Sequence, residues 1–286
     1  MKYGIIMPSR DRADTVVPNL IKWIEQDLPI AIVTEPDQTH LYRQALREAD
    51  IARSVRVLAL SQSNAGLGNS RRWCTVLAHQ EFEYDAFIMA DDDVHPKPGH
   101  DVRKLLDFVA AERAMGCAGW MPPYGQWVPD GNNIAKEPNL VVPTMSGDRI
   151  YALNTELAIK AGNFNPKITV TYENVELMRQ GARLGHLWYI HSGVHTHSVG
   201  KRDAPGGLVA YSGGTPEARH AKEVLSHQVC HDLWPAYITQ PPKRYSCQWR
   251  RLVTELISPG AADALKTALA YVDDEIDAAY RQWPRG

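Results

Sequence analysis

Three consecutive aspartates, Asp91, Asp92 and Asp93, follow the apolar run "AFIMA" in the stretch "FIMADDDVHPKPG". Neighbouring carboxylates repel one another, so such a triplet is either a solvated turn or helix cap, or one wall of a cation site. Two features favour the cation site. The apolar run reads as a buried strand, so the carboxylates emerge at a sheet rim. Hard divalent ions prefer carboxylate oxygens and keep open positions for phosphate oxygens. Alternate residues of an extended segment point the same way, so Asp91 and Asp93 are expected to share one ion while Asp92 points elsewhere. His195 and His197 in "HSGVHTHSVGK" alternate likewise, and His95 reads as a loop residue. Arg10, Arg12, Arg71 and Arg72 are candidate contacts for phosphate or base, although Arg72 could equally lie on an exposed helix face. Lys201 and Arg202 form a basic loop suited to closing over a diphosphate. Glu35, just past an apolar run, suits a nucleotide base or ribose.

The elements that must hold these groups alternate. "YGIIMPSR" reads as a strand ended by Pro8, and "ADTVVPNLIKWIEQ" as a helix with Asp14 at its N-cap and Pro18 in or near the first turn. "IAIVTEP", "SVRVLALS" and "YDAFIMADDD" are further strands, "THLYRQALREADI" a helix, and "LGNSRRWCTVLAHQE" a helix opened by Gly68 and Asn69. This alternation predicts an α/β fold, a Rossmann-like, mostly parallel sheet flanked by helices. Ligands of such sheets bind at the carboxyl ends of the strands. Ser9–Arg10, Glu35, the loop from Asn64 to Arg71 and the aspartates should therefore share one rim. Further on, "GWMPPYGQWVPDGNNIAKEPN" reads as a loop, a lid or an acceptor wall, and "GDRIYALNTELAIKAG" as a strand running into a helix. "TYENVELMRQGARLG" reads as a helix capped by Gly185, and "HLWYIHSGVHTHSVGKRDAPGG" as a strand and then a basic loop. From about residue 215 the pattern is helical, which divides the chain into a domain at 1–214 and a C-terminal helical extension at 215–286.

Composition narrows the class. The 286 residues, 44% of them hydrophobic with eight tryptophans, can build a substantial core. A net charge of −2 exerts no global pull on nucleic acid or anionic membranes. Cys74, Cys117, Cys230 and Cys247 are scattered without a CxxC pair, which fits a reducing compartment. No apolar run approaches the roughly 20 residues that span a bilayer. A soluble, cytoplasmic protein with no membrane partner is expected.

A strand ending in Asp-x-Asp after alternating β and α units resembles the GT-A glycosyltransferases. The resemblance covers roughly residues 1 to 200 as ordered motifs, each weak alone. "IIMPSRDRADTVVPNLIKWI", with Pro8, Ser9, Arg10 and Arg12, resembles the family's nucleotide-lining first strand and loop. "NAGLGNSRRWC", with Asn64, Gly66, Asn69 and Arg71, resembles the segment that contacts base, ribose and phosphate. In this family the acidic motif binds Mn²⁺ or Mg²⁺, which grips the diphosphate of a nucleotide sugar. The resemblance thus implies Asp91 and Asp93 as metal ligands, Asp92 near the sugar, and His195 or His197 as a third protein ligand. "YENVEL" resembles the acidic helix-start motif. Asn174 stands where inverting relatives often carry an aspartate base, and an amide cannot take that proton at neutral pH. Glu173 or Glu176 must serve if a base is needed, and the "EN-x-E-L" form is closer to some retaining members. As a plain helix start, the same acids would simply favour the helix dipole.

The compact chain, the "PSRDRAD" opening and the His-rich end also resemble the phage TET-associated glycosyltransferases, which glycosylate hydroxymethylated pyrimidines in DNA. That likeness implies transfer from a UDP-sugar to 5-hydroxymethylpyrimidine in double-stranded DNA, in the host cytoplasm. Lys243, Arg244, Tyr245, Trp249, Arg250 and Arg251 in "PPKRYSCQWRRL" are then candidate DNA contacts, and equally a helix surface with two buried aromatics. Two other acceptors, a glycan and a small molecule, stay open, as does a nucleotide-sugar-binding protein without catalysis. A nucleotidyltransferase would carry a Gly-rich phosphate loop where this chain has "PSRDRAD".

Overall fold

The computed structural model of the chain describes residues 1–60, 66–112, 114–120, 140–141, 149–169, 173–184, 186–198 and 215–233. Its first half is built from β1 (Tyr3–Pro8), α1 (Ala13–Ile24), β2 (Ile30–Thr34), α2 (Thr39–Glu48), β3 (Val55–Ala59), α3 (Leu67–Gln80) and β4 (Ala86–Ala90). Every residue of β2 and β4 is buried, as expected of parallel strands covered on both faces. Side-chain alternation divides the core in two. Ile5, Met7, Ile88 and Ala90 pack with Val16, Leu20, Trp23, Tyr42, Leu46, Leu105 and Leu106. Ile6, Phe87 and Met89 pack on the opposite face with Cys74, Ala78, Leu157, Phe164 and Leu177. Cys74 and Cys117 are free thiols in this core.

The second half adds β5 (Val94–Pro96), α4 (Arg103–Glu112), β6 (Gly116–Trp120), β7 (Leu140–Val141), β8 (Ile150–Asn154), α5 (Thr155–Lys160), α6 (Glu173–Arg183), β9 (Trp188–Ser198) and α7 (Pro216–Leu233). Together the strands make a nine-stranded sheet ordered β3-β2-β1-β4-β8-β6-β9-β5, with β7 paired to β9. Strands β3, β2, β1 and β4 are parallel neighbours, and β8 is inserted antiparallel between β4 and β6. β9 runs parallel to β6, while β5 and β7 pair with it antiparallel. The register sets Ile6 beside Met89 and Pro8 beside Val33, so the segments after β1, β2 and β4 leave the sheet on one rim.

Several local expectations are corrected. Asp14 lies inside the first turn of α1 instead of capping it; Arg12 is the N-cap residue, without a side-chain cap, and Pro18 lies within the helix. Helix α3 begins at Leu67, one residue before Gly68, after Gly66 at φ 75°. His95 is not a loop residue but part of β5, paired with His197. α4 has no counterpart in the sequence reading, although Leu105, Leu106 and Val109 form its buried stripe. Among the described residues, no helix is long and apolar enough to cross a membrane.

Candidate functional site

The chain leaving β1 meets the chain leaving β4 around Asp92. This residue is only 7% exposed. Its Oδ2 accepts from Ser9 Oγ at 2.6 Å and its Oδ1 from Arg12 at 2.6 Å. Ser9 Oγ also lies 2.7 Å from the Tyr42 hydroxyl. Asn19 Nδ2 donates to the Asp92 carbonyl at 3.0 Å, and Trp23 Nε1 to that of Val94 at 2.9 Å, so α1 clamps the backbone of the acidic turn. Burial pushes the Asp92 carboxyl up to about 7; Arg12 and Ser9 pull against that shift, and Asp93 and Asp91 add to it. Asp92, expected near the sugar, is thus the buried anchor that joins three segments of the rim.

Arg71 makes the second junction. Only 2% of its side chain is exposed. One terminal nitrogen donates to Asp91 Oδ1 at 2.6 Å; the other donates to Asn174 Oδ1 at 2.7 Å and to Glu173 Oε1. Its guanidinium carbon lies 5.5 Å from the centroid of the Tyr151 ring. Burial disfavours the charge, but Tyr151, Glu173 and Asp91 more than offset this and hold Arg71 protonated. The acidic turn and the start of α6 are therefore wired together through one cation. Glu173 Oε2 and Glu176 Oε2 are buried and lack a hydrogen-bond partner among the described residues. Burial raises the pKa of both acids, against Arg71 for Glu173 and against Gln180 for Glu176. A buried acceptor without a donor is costly unless something arrives to satisfy it.

Arg149 makes the third. The β4–β8 ladder pairs Ala90 with Ile150, and the Asp91 N–H donates to the Arg149 carbonyl at 2.8 Å, which puts Arg149 beside the triplet. Its NH1 lies 3.2 Å from Asp93 Oδ2 and its Nε 3.9 Å from Asp91 Oδ2. Arg12 NH2 approaches Asp93 Oδ2 to 3.6 Å. Residues 92 and 93 form a turn, so the expected extended alternation is absent. The two carboxylates nevertheless converge, because one guanidinium reaches both. That convergence, with all-oxygen chemistry, fits a hard divalent ion. Among the described residues, no group of three His, Cys, Asp or Glu side chains lies close enough to hold a metal ion. His195 instead stacks on His100, with ring centroids 4.9 Å apart, and His197 faces His95 at 5.3 Å.

The remaining candidates line the same rim. Glu35 is buried beside Arg10 Nε at 3.4 Å, and Arg10 also reaches Asp11 at 3.2 Å. Gln38 is hydrogen-bonded to Asp11 in both directions. Pro8 closes β1 against Val33. Asn69 sits half-buried in the first turn of α3. The Leu67 and Gly68 N–H groups donate to the carbonyls of Thr169 and Ile168 at 2.9 and 3.0 Å, so these helix-start donors are already engaged. Arg72 caps the carbonyls of Gly162 and Phe164. Asn64, Lys201, Arg202, Lys243, Arg244, Tyr245, Trp249, Arg250 and Arg251 lie outside the described residues. Sequence reasoning missed Arg149, Asn19, Gln38 and Tyr42. The one available signal was an arginine immediately before the strand "IYALN".

No family model and no curated protein sequence matches the chain. Its fold is similar to that of a mannosyltransferase, PcManGT from Pyrobaculum calidifontis, solved with GDP-Man and Mn²⁺: TM-score 0.56 and 13% identity, over 100% of this chain and 88% of that one. It is also similar to GalNAc-T7, solved with UDP, GalNAc and Mn²⁺: TM-score 0.59 and 13% identity, over 96% of this chain and 54% of that one. The chain therefore spans about half the length of the second protein. These likenesses identify the fold as that of the GT-A glycosyltransferases.

Proposed function

We propose that the chain is a glycosyltransferase that uses a divalent cation, Mn²⁺ or Mg²⁺, to move a sugar from a nucleotide-sugar donor to an acceptor hydroxyl. One observation carries this reading. Asp91 and Asp93 share a single cationic partner at the carboxyl end of β4, and Arg71 links Asp91 directly to Glu173 and Asn174. The reading is supported by the two similar structures, each of which holds Mn²⁺ with a nucleotide or nucleotide sugar.

Asp91 and Asp93 would hold the ion, leaving its other positions to diphosphate oxygens and water. Of the two histidines, His197 has the exposed ring and is the better candidate for a further ligand. When bound, such an ion neutralises the charge that develops on the departing diphosphate. Arg71 fixes one oxygen of Asp91 and so orients the other outward. Arg10 and Glu35, at the ends of β1 and β2, would meet the nucleoside; a UDP-sugar is the first donor to test. The unpartnered oxygens of Glu173 and Glu176 would accept hydrogen bonds from sugar or acceptor hydroxyls. Glu173 is paired with a buried guanidinium and Asn174 cannot take a proton, so Glu176 is the remaining carboxylate of this motif for base chemistry.

For the acceptor, 5-hydroxymethylpyrimidine in DNA rests on the "PSRDRAD" and His-rich resemblance and on the basic-aromatic stretch from Lys243 to Arg251. A glycan or small-molecule acceptor is the competing choice. A non-catalytic binder is favoured by one feature, the engagement of both Glu173 and Asn174 by Arg71. The test is incubation with Mn²⁺, UDP- and GDP-sugars, and a panel of hydroxymethylated DNA, glycans and small alcohols, read by mass spectrometry. A gain of one sugar on an acceptor supports transfer, and the acceptor that gains it identifies the class. Donor binding with no transfer to any acceptor would favour the binder.

A further inference from the structure

Charge counting around the acidic turn leads one step further, and rests on the proposed metal reading. Four carboxylates, Asp91, Asp92, Asp93 and Glu173, are met by three guanidinium groups, Arg12, Arg71 and Arg149. The cluster is thus nearly neutral without any metal. A dication entering with all three arginines in place would meet almost no net attraction, and Coulomb repulsion from the nearest guanidinium would be strong at contact distance.

The three arginines are not equally held. Arg71 is 2% exposed and donates to three acceptors. Arg12 is 12% exposed and donates to the buried Asp92 at 2.6 Å. Arg149 is 22% exposed, and its contacts with the two carboxylates are longer, at 3.2, 3.3 and 3.9 Å. It is also the only one of the three that touches both Asp91 and Asp93. We infer that Arg149 is an exchangeable internal cation: in the metal-free protein its guanidinium bridges Asp91 and Asp93, and a divalent ion binds by taking that place as the side chain swings out. Arg12 and Arg71 stay, because their removal would strand buried carboxylates. Arg149 therefore sets the metal affinity of the site without being a ligand.

The experiment is Mn²⁺ binding to the full chain without nucleotide, read by the electron paramagnetic resonance of free Mn²⁺. Losing a competing positive charge at contact distance should tighten binding about tenfold in Arg149→Gln. Arg149→Lys, which keeps the charge but not the bidentate reach, should fall between. Asp93→Asn should weaken binding in every background. Equal or weaker binding by Arg149→Gln, with Asp93→Asn still weakening it, would overturn the exchange and leave the metal reading standing. No Mn²⁺ binding by the native protein or by Arg149→Gln would overturn both. Should Arg149→Gln not fold, the native protein decides: the Arg149 Nε resonance should shift in proportion to Mg²⁺ occupancy. A resonance that stays in place at saturation overturns the exchange.

Discussion

At the scale of single residues, the site is an arrangement of buried ions whose partners come from distant parts of the chain. Arg71 reaches residues 20, 102 and 103 positions away. Arg71→Met leaves Glu173 and Asp91 without their counter-charge and should cost about 3–5 kcal/mol in chemical denaturation. Arg71→Lys keeps the charge but cannot serve three acceptors, so it should recover only part of that loss. Asp92 makes a different prediction. Its carboxyl is raised to about 7 in the folded protein against an ordinary value of 3.8, so between those pH values the folded state holds a proton that the unfolded state has lost. Native stability contributed by this group is fully present below about pH 4 and is lost as pH rises toward 7. Asp92→Asn has no such proton. Its melting temperature minus that of the native protein should therefore climb from pH 4 to 7 and level off above; a flat difference would show that Asp92 is an ordinary ionised aspartate. Residue types and spacing revealed the carboxylates, but not that Asp92 is buried and Asp91 and Asp93 line the rim. That division follows from α1, whose Asn19 and Trp23 grip the turn from outside any motif.

At the scale of elements, apolar periodicity made most strands and helices of the first half legible, because each buries a strand or stripe with a clear period. Boundaries were less legible wherever tertiary contacts replace local caps. Helix α3 shows why: its first N–H groups are satisfied by the 168–169 backbone, not by a neighbouring side chain. This close approach requires Gly68, since a Cβ there would lie 2.3 Å from the Ile168 carbonyl oxygen and 2.4 Å from that of Asn165. Gly68→Ala must push two backbone segments apart. It should destabilise the protein by about 1–3 kcal/mol in urea denaturation. An unchanged midpoint would mean that the 165–169 segment does not bear on the helix. The same packing holds α7, whose buried Ser226 hydroxyl accepts from Thr169 N–H at 3.1 Å. The antiparallel insertion of β8 was not legible either. "GDRIYALN" announces a strand, but nothing in it says that Arg149 will stand beside Asp91.

At the scale of the whole molecule, the order of the sheet explains why widely separated motifs form one site. Parallel β1, β2 and β4 deliver Ser9, Glu35 and Asp91 to the same rim, as strand alternation predicted, while β8 and α6 bring Arg149 and Glu173 from the second half. The fold supplies the geometry, and the central claim is that this geometry does metal-assisted chemistry on a nucleotide sugar. A bound ion should also stabilise the native state, by about 2.7 kcal/mol at a hundredfold excess over its dissociation constant, visible as a Mn²⁺-dependent rise in melting temperature. The most direct measurement is release of nucleoside diphosphate from UDP- and GDP-sugars, with Mn²⁺ and then with excess chelator, by the native protein and by Asp93→Asn. The account predicts release from at least one donor that stops on chelation and falls at least about a hundredfold in Asp93→Asn, the loss expected when a main electrostatic contributor is removed. Release that persists unchanged through both chelation and the substitution would contradict it.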